Sequence, residues 1–573
     1  MDRLDSHTGV DRSIDPSPIY HVGAPASELT YRSNWSHHPI LFMPNNPGVL
    51  LNGTQYVLKS TDFGQSWIRI SPDLTRNDKS KQDLPGGPIS ADISGAELYD
   101  TISAMAVSPS NDDIIWTGSD DGLVYVTTDG GGHWTPVTPK GLPTWIKITC
   151  IEASSTSPGT AYFTASHYQW DDFKPYVYVT TDYGQHWTSL SSGLPHDQYL
   201  NAIRQDPNDP NLLFVATSKT VYMSLDNGAN WQPLTLNLPP VRVSDIGIQG
   251  AQHAVVLATF GRGMWVLDDL KYLEQLNQAQ VADNAPYLFK PQQTWLVQRS
   301  SFSFGGSRAG GENAPSGATV YYYLPASYTP GTPVKLSFTT ADGTLINSFD
   351  LPVVPKPNGT TNKVEKPTHL PELHPGMNRY QWDLRYKPAI YPNGYFISET
   401  GRIEAPTIVP GTYYAVLDYN GQQLKEPFEV KLDPRLNTTQ EQLQARNDLL
   451  LKINDTLNAM NTAVNQATEA RSRLQKAVAG GQVSPARARE VLVALDRDID
   501  ALVNFKIQSG EGDLVYETRV EIRLIQLAGD IGQSYTPLKP QNLVGFSILS
   551  KQAQDGQQRL AADVTAANKL LGS

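Results

Sequence analysis

Cysteine is almost absent from the sequence. Its one copy, Cys150, excludes an internal disulfide. Its place in the apolar stretch 148–153 predicts a small buried hydrophobe and not a nucleophile. No apolar run is long enough for a membrane-crossing helix, so no integral membrane segment is expected. The polar start, Met1-Asp2-Arg3-Leu4-Asp5-Ser6-His7-Thr8-Gly9, has no signal-peptide core. Basic excess is missing too: 45 Lys and Arg face 57 Asp and Glu, a net charge of −12 that argues against nucleic acid or an anionic membrane surface. No His/Cys cluster has zinc-ligand spacing, and no metal or cofactor is expected. A Gly-x-Ser-x-Gly elbow is also lacking, which removes the serine-hydrolase reading. The glycine-rich run 305–311 leads to Pro315 and Gly317, not to a helix, and fails as a phosphate loop.

Glycine and proline are plentiful, at 44 and 42 copies, as a turn-rich β protein needs. One eight-residue pattern recurs four times: small or hydroxyl, x, Asp, x, Gly, x, x, Trp. The copies are Ser60-Thr61-Asp62-Phe63-Gly64-Gln65-Ser66-Trp67, Thr127-Thr128-Asp129-Gly130-Gly131-Gly132-His133-Trp134, Thr180-Thr181-Asp182-Tyr183-Gly184-Gln185-His186-Trp187 and Ser224-Leu225-Asp226-Asn227-Gly228-Ala229-Asn230-Trp231. Each follows an apolar run, which makes the unit strand, tight turn, strand. The Asp carboxylate can accept N–H bonds across a short turn. The Gly supplies a positive φ, and the Trp carries a large apolar surface to pack between sheets. The tryptophans at 67, 134, 187 and 231 fall near the roughly 40–50-residue period of a four-stranded blade. The connection 71–100 stretches the first interval.

This combination resembles the Asp-box, or BNR repeat, of sialidases, xyloglucanases and sortilin-type receptors, which are β-propellers. The resemblance implies that Asp62, Trp67, Asp129, Trp134, Asp182, Trp187, Asp226 and Trp231 are structural and lie away from the ligand face. Four blades are expected at 31–70, 101–137, 148–190 and 200–234, and a fifth without the box at 243–267. Residues 1–20 are expected to pair as outer strands of an open or irregularly closed ring. At 573 residues the chain predicts about three domains. Strands at 319–323, 334–339, 345–351, 378–384, 411–419 and 428–432 predict a β-sandwich resembling immunoglobulin or fibronectin type III modules. The Pro-containing stretches 353–375 and 386–407 read as surface loops. From Thr439, paired with Gln442 as a capping box, helical spacing begins. Ser484-Pro485 opens a helix through Leu502, and helices follow at 516–529 and 543–571. The expected class is mainly β: propeller at 1–272, sandwich at 273–436, helical bundle at 437–573.

The whole order resembles a family of large bacterial BNR/sortilin-like proteins often labelled glycosyl hydrolases. The residues that carry this are Asp171-Asp172-Phe173-Lys174-Pro175-Tyr176-Val177-Tyr178, the closing segment 259–269, Asn378-Arg379-Tyr380-Gln381-Trp382-Asp383-Leu384-Arg385, Pro410-Gly411-Thr412-Tyr413 and Asp433-Pro434-Arg435. It matches the C-terminal part of a typical member and implies an exported protein. The chain departs from the family at Phe260, where a His is usual, and at Gln205, where a Glu is usual.

Loops opposite the repeated turns should carry any site. They offer Asp120, Asp121, Asp171 and Asp172 as candidate catalytic carboxylates. Trp145, His167, Trp170 and Arg262 are the candidate ligand-binding residues. Carboxylates beside Trp platforms suit a glycan cleft. Asp120-Asp121-Gly122 also reads as an ordinary hairpin turn, and Arg262 as an anchor pairing with a carboxylate in the central channel. The favoured function is a scaffold that recognises peptide or glycan, with the remaining domains mediating assembly. The alternative is a glycoside hydrolase. A protein partner, or a further propeller segment, is expected to complete the ring.

Overall fold

The protein is described from a computed structural model covering residues 1–19, 22–34, 38–84, 89, 98–276, 285–297, 316–352 and 373–572. The glycine-rich run 305–311 and residues 353–372 lie outside these. The chain forms two compact units, Met1–Gln278 and Ala279–Ser573. No helix among the described residues is long and apolar enough to cross a membrane.

The first unit is a series of antiparallel sheets consistent with a propeller. Blade one runs Ile40–Met43, Asn46–Gly53, Val57–Ser60, Ile68–Arg69. Blade two is Ile102–Ser108, Asn111–Ser119, Val124–Thr127, Thr135–Pro136, and blade three is Lys147–Ala153, Ala161–His167, Asp172–Thr180, Thr188–Ser189. Blade four is Leu200–Gln205, Leu213–Thr217, Val221–Ser224, Gln232–Pro233. The fifth has three strands, Val243–Gln249, Ala254–Thr259 and Met264–Leu267, followed by the short helix α1, Leu270–Leu276.

The eight-residue repeat joins the third and fourth strands of blades one to four, and its geometry repeats. In each turn the Asp Oδ1 accepts the backbone N–H four residues on, from Ser66, His133, His186 and Asn230 at 2.8–2.9 Å. The two residues after the Asp both take positive φ, 59° at Tyr183 and 82° at Gly184 in the third copy. Glycine is required at the second of them for space as well. A Cβ on Gly184 would lie 2.6 Å from Cβ of Val137. The carboxylates are acceptors only: hydrogen bonds from Ser66 draw Asp62 down to about 2, and those from His186 do the same for Asp182.

The Trp of each repeat then reaches the preceding blade. Trp134 Nε1 donates to the Ile70 carbonyl at 2.9 Å, Trp187 to Val137 at 2.7 Å and Trp231 to Leu190 at 2.8 Å. Trp67 does the same to Ile14 at 2.9 Å. Ile14 follows the second strand of a hairpin formed by Asp2–Leu4 and Asp11–Ser13. That hairpin therefore stands against blade one as the outer two strands of a blade would. Its strands pair with each other and not with Met264–Leu267 of the fifth blade. At the inner edge the first strands are tied by side chains. Ser103 Oγ donates to Ile148 O at 2.7 Å, Thr149 Oγ1 to Leu200 O at 3.3 Å and Asn201 Nδ2 to Val243 O at 2.8 Å.

In the second unit two sheets share one core. One has the order Tyr287–Leu288, Ala318–Leu324, Gly376–Trp382; the other has Thr294–Leu296, Gln422–Leu432, Gly411–Tyr419, Val334–Thr340, Leu345–Leu351. Alternation buries every second residue of Ala318–Leu324. Phe338 and Trp382, one from each sheet, stack at 4.0 Å. The strands 287–288 and 294–296 are too short to show a period in the sequence.

Four helices follow: α2 (Gln440–Ala479), α3 (Pro485–Leu502), α4 (Val520–Gly532) and α5 (Pro540–Leu571). The capping box at Thr439 and Gln442 forms. Ser484 precedes Pro485 as expected, although its side chain makes no cap hydrogen bond. Helix α4 starts four residues later than the periodicity suggests, because a short 3₁₀ turn at Gly512–Leu514 precedes it and Arg519 is extended. The stretch 386–407 is not simply a surface loop. Ala389 and Tyr395 sit in the helical core, Tyr395 only 1% exposed. The reason is a stripe of asparagines on α2, at 454, 458, 461 and 465, which helical geometry places on one face. Asn454, Asn458 and Asn465 accept the backbone N–H groups of Ala389, Ile390 and Asn393. Asn454 and Asn461 donate to the carbonyls of Lys387 and Ile390. The stripe thus satisfies an extended segment that has no strand partner.

Glu521 of α4 lies beneath this segment, 1% exposed, with Asn461 Nδ2 at 3.3 Å from its Oε1. Burial pushes its carboxyl up to about 8, against the opposing hydrogen bonds of Tyr395 and Asn461. Since the folded value exceeds the ordinary 4.5, the folded state holds the proton longer. The contribution of Glu521 to stability should be fully present below about pH 4.5 and lost progressively up to about pH 8. Denaturant titrations at pH 5 to 9 should show a flatter pH dependence for Glu521→Gln than for the parent; identical slopes would mean that Glu521 is ionised in the folded protein.

Candidate functional site

The first strands of the blades point their ends into a common cavity of about 1060 Å³. Blade two contributes Asp120, at the turn after its second strand, 4% exposed. Thr101 holds the carboxylate with its N–H at 2.9 Å and its hydroxyl at 2.6 Å. Burial raises Asp120 to about 7, with Thr101 and Lys147 opposing. Lys147, at the start of blade three, lines the same cavity, and burial lowers it to about 8.

Asp121 faces away. It accepts from the hydroxyl of Ser119 and, at 2.6 Å, from the Arg76 N–H. Burial pushes its carboxyl well up. Arg76 also donates from Nε to the Asp121 carbonyl at 2.8 Å and covers the Trp145 ring at 5.4 Å. Trp145 in turn stacks on Tyr99 at 5.6 Å, and it is Tyr99 that borders the cavity. The connection 71–84 therefore serves as the lock on both Asp121 and Trp145.

The remaining predicted residues cluster around the turn Tyr168–Trp170. His167 stacks on Trp170 at 5.5 Å, and Trp170 is 60% exposed. Asp171 ends the turn with a φ of 61° and is exposed. Burial acts to raise Asp172, but the hydroxyl of Tyr176 at 2.5 Å, the N–H of Lys174 at 3.2 Å and the charges of Lys174 and His167 outweigh it and hold the carboxyl low. From this turn Tyr168 and Gln169 line the cavity. Of the eight predicted site residues only Asp120 does so.

Arg204, Asp245 and Arg242, which the sequence reading missed, also line the cavity. Arg204 of blade four bridges its neighbours, at 3.7 Å from Glu152 of blade three and 2.8 Å from Asp245 of blade five. Its Nη1 also donates to Cys150 Sγ at 2.6 Å, and the thiol donates to Ile203 O at 3.5 Å. Cys150 is thus a buried hydrogen-bonding group as well as a small apolar one, and burial raises its thiol. The carboxylate-paired arginine of the channel is Arg204 and not Arg262, which makes no ion pair among the described residues and is exposed. Arg242 faces the cavity too, its guanidinium 5.7 Å from the Tyr199 ring and 5.6 Å from Phe260. Phe260, in the position where the resembling family has His, closes this part of the wall. Gln205, the other departure, is a tie within the blades: it accepts from Ser154 and donates to Pro210 O. No cluster of three or more His, Cys, Asp or Glu side chains able to hold a metal occurs among the described residues.

Neither a protein-family model nor a curated protein matches the sequence. Similar solved structures include a GH74 xyloglucanase from Xanthomonas campestris, with 18% identity and a TM-score of 0.31 over 40% of this chain and 36% of that one. An ancestral GH74 enzyme has 15% identity and a TM-score of 0.31 over 56% and 39%. YCF48 from Cyanidioschyzon merolae has 18% identity and a TM-score of 0.20 over 28% and 52%. The chain thus spans well under two thirds of the length of each. The propeller reading rests on the sheets themselves.

Glu152 and Arg204 are mostly buried, with side chains 25% and 23% exposed. Burial lifts Glu152 to about 7 even with Arg204 opposing. At pH 9, where Glu152 is ionised in the parent, Arg204→Met should therefore lower the unfolding free energy by about 3–5 kcal/mol, because Glu152 keeps its burial and loses its counter-charge. Adding Glu152→Gln should restore much of the loss. Urea titrations of the parent and the two variants decide it; a single-variant loss under about 1 kcal/mol would mean the pair behaves as a surface ion pair.

Proposed function

We propose that the first unit is an Asp-box propeller of the BNR/sortilin-like kind that recognises a glycan or peptide in its central cavity. The second unit, Ala279–Ser573, serves assembly, its two sheets as an immunoglobulin- or fibronectin-like module and its helices (437–573) as a separate region. The observation that carries the reading is the cavity wall itself. It joins neutral amides and hydroxyls, Asn201, Gln169, Ser103 and Thr149, to the aromatic edges of Tyr99, Tyr168 and Phe260. Such a wall suits ligand recognition. Four carboxylates were candidates for paired acid/base work. Asp121, Asp171 and Asp172 are absent from the wall, which leaves no pair among them.

A hydrolase is the second reading, and Asp120 is what favours it. A carboxyl raised to about 7 on a cavity wall suits a general acid. Its partner would then be Asp245, the other carboxylate lining the cavity among the described residues. Glycan and peptide arrays, run beside a reducing-sugar assay on β-glucans, xyloglucan and charged glycans, separate the two. The recognition reading expects binding without product. Turnover that disappears in Asp120→Asn while the fold is retained would replace it with the hydrolase.

A further inference from the structure

We infer that the cavity takes a carboxylated sugar, a uronic acid unit of an oligosaccharide, with its carboxylate on Arg242 and Lys147. The inference rests on the recognition reading and narrows it. The chain carries a net charge of −12, yet among the described residues the cavity wall holds three cations, Lys147, Arg204 and Arg242, against two carboxylates, Asp120 and Asp245. Arg204 is taken by Asp245 and Glu152. Neither Lys147 nor Arg242 has a carboxylate within ion-pair distance among the described residues; Lys147 feels the charge of Asp120 from farther off, and Arg242 has no such neighbour. A charge such as Arg242 held in a partly desolvated wall without a counter-charge is costly, and a bound anion removes that cost.

Arg242 is also held in place. Its Nη2 donates to Asn201 Oδ1 at 3.3 Å, and its guanidinium lies beside both Tyr199 and Phe260. Its Nε is buried and has no hydrogen-bond partner. Ser166 Oγ, on the same wall, is likewise buried and unpartnered. Nη1 of Arg242 is neither buried nor hydrogen-bonded among the described residues, and a guanidinium nitrogen open to a cavity can donate to a carboxylate oxygen. The surroundings favour a sugar over a peptide. Tyr168 stacks on Tyr199 at 4.6 Å, and Phe260 is 73% exposed, so aromatic surface flanks the cation where the apolar face of a pyranose would lie. Asn201, Gln169 and Ser166 offer side-chain partners for ring hydroxyls.

The test is calorimetry on the full chain with a galacturonic acid trisaccharide, its methyl ester, a sulfated neutral trisaccharide and a Glu-rich peptide. The free acid should bind, and esterification should weaken it at least about tenfold, the scale of one charge-assisted hydrogen bond. Arg242→Gln should weaken the acid to a similar degree and leave the ester unchanged, with its melting curve showing that the variant folds. Arg242→Lys should fall between, since it keeps the charge and loses the fork. Equal binding of acid and ester would overturn the inference and leave glycan recognition standing. So would tighter binding of the sulfated sugar, or binding of the peptide alone. Failure of every probe here and on the arrays would remove the recognition reading as well.

Discussion

The repeat tryptophans of blades two to four donate their indole N–H to a carbonyl in the blade before, as Trp67 does to the N-terminal hairpin, and the arrangement of the first unit depends on that bond. The donor comes from one sheet and the acceptor from the chain just past the outer strand of another. The bond is possible because the Asp of the same repeat collects the N–H next to the Trp and so closes the turn in one conformation. The glycine then lets the turn sit directly on the residue whose carbonyl is used: Gly131 on Ile70, Gly184 on Val137, Gly228 on Leu190. One short pattern thereby fixes both the turn within a blade and the spacing between blades. Unpaired buried donors are costly, so the indole has a strong reason to keep its partner.

Fixing the outer edges sets what the inner edges can do. The first strands approach closely enough for Ser103, Thr149 and Asn201 to reach the next blade's carbonyls. Side chains that point inward from those strands must then share a cavity. Some resolve their charge locally, as Arg204 and Asp245 do with each other and Arg204 does with Glu152 behind the wall. Asp120 resolves it by holding a proton more readily than an ordinary carboxyl. Lys147 and Arg242 are left facing the space, and the binding chemistry follows from them.

Much of this was legible in the residues and some was not. The four repeats announce themselves because turn chemistry is local: Asp, Gly and Trp act within eight positions. The helices were legible for the same reason, through the capping box at Thr439 and the stripe from Leu449 to Val464, all buried. The cavity was less so. Arg204, Arg242 and Lys147 sit at or beside the first strands, where alternation tells one face from the other but not a channel from a core. Asp120 and Asp121 are neighbours in sequence, and only the fold decides that one opens to the cavity while the other turns to Arg76. Residues 386–407 read as a loop because their partners are asparagine side chains on a helix, a pairing with no period of its own. The Asn stripe at 454, 458, 461 and 465 was the available signal, visible as polar residues on a face next to the apolar one.

The indole bonds clamp consecutive blades, and hydrogen exchange of the indole protons, followed by NMR, reads that clamp. The indoles of Trp134, Trp187 and Trp231 should exchange together, and only as slowly as the most protected amides of their blades, while exposed Trp170 exchanges at once. If those three indoles exchanged as fast as Trp170 while the strands stayed protected, the blades would be held by other means and the account would be wrong.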